Sequence, residues 1–136
     1  MTNGNDVLMV ILGCETAVQF QESRKLVLPQ HPDVEVVYVA HFPYHFVGSL
    51  IREKIAETIC LSNRQYVALI ERDYVKGDCL NVDLMAAYIK HCNTEPLLCH
   101  PWSGGKTLFR QSKRFMNADD CCFGKKEDVL KYALEK

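Results

Sequence analysis

Seven cysteines and five histidines are the side chains of this 136-residue chain best equipped for chemistry. Thiolate and imidazole suit transition metals, and an activated thiolate is also a nucleophile. Cys14, His45 and Cys79 each follow a segment that reads as a strand and His100 ends one, and the four form the expected metal-ligand set. His41, Glu71, Asp78 and Cys99 occupy comparable positions. Cys14, Glu15 and Asp73 are the candidates for nucleophile or base. A thiol ahead of a helix start gains thiolate character. Taken singly, Cys14 and Cys99 read as small buried apolar residues, and His41 and His45 as groups that bond their own loop. The set together is what points to a ligand site.

Two aromatic loops add walls to such a site. Phe42, Tyr44 and Phe46 follow the second strand, and Trp102, the only tryptophan, follows the fourth. Flat faces suit a planar ligand such as a nucleobase, a flavin or a tetrapyrrole. The alternative is that Phe42 and Phe46 cap the core. Next to Trp102 stand Ser103, Gly104, Gly105, Lys106 and Thr107. Glycine amides, a lysine and a hydroxyl before a helix start are what an anion needs. This is not a full P-loop, because His100 stands where the first glycine belongs. The turn at residues 13–16 lacks the three-glycine dinucleotide fingerprint.

The elements that must position these groups alternate. Residues 7–12 are uniformly apolar, as in a strand covered on both faces, and Gly13 ends the run. Thr16 and Gln19 have capping-box spacing and open a helix over 17–27, stopped by Pro29 and Pro32. Strands are expected at 34–40, 65–70 and 95–100. Ser49 caps a helix marked by Ile51, Ile55 and Ile59, and residues 62–64 break it. Further helices are expected over 82–92, 107–116 and 127–135. Residues 120–123 read as a short edge strand or a loop.

Strand and helix recur about every 30 residues, the spacing of βαβ units. The expected fold is α/β: a three-layer Rossmann-like sandwich of four or five mostly parallel strands with helices on both faces, as a single domain over 1–136. In a parallel sheet the strand ends share one rim, where ligands usually bind.

Three pieces carry a resemblance: Leu12-Gly-Cys-Glu15, the strand from Val34 to Ala40 leading into a histidine loop, and Pro96-Leu-Leu-Cys-His-Pro101. On these the chain resembles the uncharacterised small Cys/His-containing Rossmann-like proteins of bacteria and archaea, often anaerobes. The resemblance implies the fold and carries over no functional residue.

Bulk properties exclude some classes. The net charge is −1, and adjacent basic residues run no longer than the pairs Arg24-Lys25, Lys113-Arg114 and Lys125-Lys126, which gives no electrostatic case for nucleic acid or an anionic membrane. No apolar segment reaches the ~20 residues that span a bilayer. The N-terminal residues lack a signal peptide's basic region, so a cytoplasmic protein with reduced thiols is expected. The absence of a Cys-x-x-Cys pair gives a closed zinc site no support.

Three functions compete on this reading. The first is a small-ligand-binding protein holding a transition metal or a corrinoid- or tetrapyrrole-type cofactor at the rim. It uses Cys14, His45, Cys79 and His100, with Tyr44 and Trp102 as walls. The second is an enzyme acting on a nucleotide or phosphorylated small molecule through residues 103–107. The third is a non-catalytic interaction subunit, oligomeric or in a complex, whose cysteines only pack.

Overall fold

The computed structural model describes residues 6–29, 31–39, 49–72, 97–101, 110–111 and 120–134. The chain is a mixed α/β protein. Its strands are β1 (Val7–Leu12), β2 (Glu35–Tyr38), β3 (Tyr66–Glu71), β4 (Leu97–Pro101), β5 (Arg110–Gln111) and β6 (Asp120–Lys125). The helices among the described residues are α1 (Ala17–Val27), α2 (Ser49–Cys60) and α3 (Lys126–Leu134). The strands form one six-stranded sheet in the order β2-β1-β3-β6-β4-β5.

β1 is the centre of the parallel part. It pairs in parallel with β2 (Met9 opposite Val36) and with β3 (Met9 opposite Ala68). All six of its residues are buried, as the continuous apolar run requires. Alternation along the strand divides the core in two. Val7, Met9 and Ile11 pack with Ala68, Ile70, Phe123 and Val27 of α1. Leu8, Val10 and Leu12 pack with Val67, Leu69, Ile55 and Ile59 of α2, and Val129 and Ala133 of α3. Phe20 of α1 stacks on Tyr38 at 4.5 Å, which seats the helix over β2.

Two expectations need correction. Residues 120–125 are neither an edge strand nor a loop. They form β6, an interior strand antiparallel to both β3 and β4. Asp120, Gly124 and Lys125 are poor strand formers, so the pairing on both sides decides the state. Within the helix expected over 107–116, Arg110 and Gln111 instead form β5 against β4, and the rest of that span lies outside the described residues. Among the described residues the sheet has six strands. β1, β2, β3 and β4 run one way, and β5 and β6 run against them. The helix expected at 82–92 lies outside the described residues.

Candidate functional site

The rim begins where β1 ends. Gly13 adopts φ 86°, a left-handed conformation that costs any residue with a Cβ, and it turns the chain out of the sheet. Thr16 then caps α1 from an extended conformation, its Oγ1 accepting from the Gln19 amide at 3.3 Å. The Gln19 side chain reaches back one residue further than a capping box requires. Its Oε1 accepts from the Glu15 amide at 2.7 Å. The Glu15 amide is thus committed to the helix start, while the Glu15 side chain is exposed.

Cys14 is fully buried and belongs to the apolar cluster on the α1 side of the sheet. Those surroundings are what a small packing residue needs.

Further along the rim the backbone register does the positioning. β3 ends level with β1, Leu12 lying opposite Glu71. β4 runs parallel to these strands, so His100 and Pro101 lie at the same end. β6 starts there, with Asp120 opposite Pro101 and Cys121 opposite His100. β3 and β6 separate β1 from β4, so those two strands stand about 14 Å apart, three steps of about 4.8 Å. Metal–ligand bonds are only about 2.0–2.3 Å long. A group touching both the Cys14 turn and the end of β4 must therefore be wider than one ion.

The opposite end of the sheet holds an open cleft of about 500 Å³, lined by Asn63, Arg64, Gln65, Tyr66 and residues 125–127. Several of its polar groups already have work in the fold. The Arg64 guanidinium donates to the Asp33 carbonyl at 3.1 Å, and Lys126 Nζ donates to the Ser62 carbonyl. The Lys126 amide donates to the Gln65 carbonyl at 2.8 Å. Ser62, only 6% exposed, donates to Glu35 Oε1 at 2.6 Å and accepts from the Arg64 amide at 3.2 Å. This network ties the α2–β3 turn to β2 and to the start of α3.

At that helix start Asp128 is raised above its ordinary carboxyl value, first by burial and then by the adjacent charge of Glu127. Lys125 and Lys131 pull the other way.

In the sequence, residues 62–64 read only as a helix break. A lone serine after a helix carries no signal that it will be buried and bonded to a residue 27 positions away. His31, 6% exposed, was missed for the same reason. Its amide donates to the Val27 carbonyl and its carbonyl accepts from the Val34 amide, which turns the chain from α1 into β2.

Of the expected ligand and catalytic residues, Cys14 and Glu15 are described in full, and His100 as a strand position. His45, Asp73, Cys79, Tyr44, Trp102, Ser103, Gly104, Gly105, Lys106 and Thr107 lie outside the described residues, as do His41 and Asp78. Among the described residues no group of three or more His, Cys, Asp or Glu is arranged to hold a metal ion. No helix among them is long and apolar enough to cross a membrane. No protein-family model, curated protein or solved structure matches the chain.

Proposed function

We propose that this chain is a cytosolic small-ligand-binding protein whose site is the rim at the ends of β1, β2, β3 and β4. The observation that carries the reading is strand direction. β4 runs with β1 and β3 although β6 is inserted between them, so His100 and the Gly13–Cys14 turn belong to one end of the sheet. Ligands of sheets with parallel strands gather at that end. The finer architecture belongs to the same proposal. Val27 of α1 packs in one apolar cluster, and Ile55, Ile59, Val129 and Ala133 of α2 and α3 in the other. That division supports a three-layer Rossmann-like sandwich.

The separation of β1 from β4 selects among ligands. A single ion bound by Cys14 and His100 together is too small for a gap of about 14 Å. A planar metal-bearing cofactor of corrinoid or tetrapyrrole type spans it. In this reading His100, with His45 or Cys79, would hold the metal, and Tyr44 and Trp102 would supply flat walls. When bound, the cofactor contributes the metal's ligand exchange or electron transfer. The test is titration of the purified protein with a cobalt corrinoid and an iron tetrapyrrole. The expected result is a saturable absorbance shift that His100→Ala weakens by tenfold or more. Absence of a shift with either compound contradicts the reading.

One observation favours a second reading, a non-catalytic interaction subunit. Cys14 lies wholly within the apolar core, where a thiol packs as a small hydrophobe. On that account Cys14→Ala lowers stability, and no variant at the rim alters uptake of a metal or cofactor.

A further inference from the structure

The β4–β6 ladder brings together four chemistry-bearing residues that are far apart in sequence. Cys99 lies opposite Cys122, and His100 lies opposite Cys121. Residues directly opposite in an antiparallel pair share a face of the sheet, and successive residues alternate faces. The two pairs therefore belong to different faces. Phe123 pairs with Ala68 on the α1 side, so Cys121 and His100 take register positions on that side. Leu69 pairs with Cys122 on the α2 and α3 side, so Cys122 and Cys99 take positions there.

Opposed residues of an antiparallel pair have Cα atoms about 4.5 or 5.5 Å apart, depending on whether they exchange hydrogen bonds. A disulfide needs Cα atoms about 4.4–6.8 Å apart, so either case falls within reach. Across this ladder Cys121 faces His100 and not a cysteine, and Cys122, its neighbour in the strand, belongs to the other face.

We propose that Cys99 and Cys122 are a reversible cross-strand dithiol/disulfide pair, oxidised by a low-molecular-weight disulfide of the glutathione class. One thiolate attacks the small disulfide, forming a mixed disulfide and releasing one small thiol. The second protein thiolate attacks the protein sulfur of that mixed disulfide and releases the other small thiol. The protein loses two electrons and two protons, and the oxidant gains both. The new bond fixes β4 to β6 and closes the chain between residues 99 and 122, a loop that contains residues 103–107. The inference stands on register alone and does not depend on a ligand at the rim.

The test is a thiol map of the full-length protein. Reduced protein is exposed to excess glutathione disulfide, blocked with a maleimide, digested and sequenced by tandem mass spectrometry. Fragment ions are needed because Cys121 and Cys122 share a peptide. The expected product is one link, Cys99 to Cys122, which dithiothreitol removes. Cys60, which is exposed, is expected to end as a mixed disulfide or a maleimide adduct. Cys121→Ser keeps the link, and Cys99→Ser or Cys122→Ser abolishes it. A link through Cys121, or Cys99 and Cys122 each capped separately, overturns the proposal. The wild-type map alone decides if a variant fails to fold.

Discussion

Ser62 shows how much one small polar side chain can carry. Its hydroxyl bonds a carboxylate on β2 and an amide of its own turn, and its carbonyl receives the Lys126 ammonium. Removing the hydroxyl leaves a half-buried carboxylate and a backbone amide short of partners. Ser62→Ala should cost about 1–3 kcal/mol, seen as a lower urea midpoint at unchanged slope. Asp128 makes a different prediction. Its folded pKa is raised above the ordinary 3.8, so the native state binds the proton more tightly than the unfolded chain does. That contribution is fully present below pH 3.8 and is lost as pH rises through the folded value. Asp128→Asn should therefore lose less stability than the wild type between acid and neutral pH, measured by urea unfolding across that range.

At the scale of the element, position relative to the sheet decides what a residue is worth. Ile59 is fully buried in the cluster beneath α2, whereas Leu61, just past the helix, is 82% exposed. Ile59→Ala should cost about 2–5 kcal/mol, and Leu61→Ala should stay within about 0.5 kcal/mol. Chemical denaturation of the pair checks the contrast. The same distinction explains which elements were legible in the sequence. The β1 run and the Thr16–Gln19 start of α1 carry their signals locally, in apolar pattern and cap chemistry, and α1 runs over the expected residues 17–27. α2 and α3 show helical apolar spacing, and their observed limits fall within a residue or so of the pattern. β6 and β5 carry almost none. Asp120 and Gly124 argue against a strand, and Arg110 and Gln111 sit in a helix-like pattern. Their state is set by β3 and β4, which are distant in sequence. The rim was legible only as strand ends. The burial of Cys14 matches the packing reading of a lone thiol, but that two strands separate it from His100 depends on strand order, which no local pattern encodes.

The whole molecule has two unlike ends. At one end Ser62, Glu35, Arg64 and Lys126 bond to one another and to the backbone, which gives that end a structural task. At the other, the strands running one way finish beside the start of β6, and the chain carries its densest concentration of Cys, His and aromatic residues in the adjoining segments. The proposed ligand binding belongs to that second end, where the distance between β1 and β4 favours a planar metal-bearing cofactor over a single ion. The direct test is elemental analysis joined to an absorbance spectrum on protein purified without air. The expected result is cobalt or iron in stoichiometric amount together with a visible chromophore. A colourless, metal-free protein that takes up no zinc, cobalt, iron or metallated macrocycle when these are supplied would contradict it.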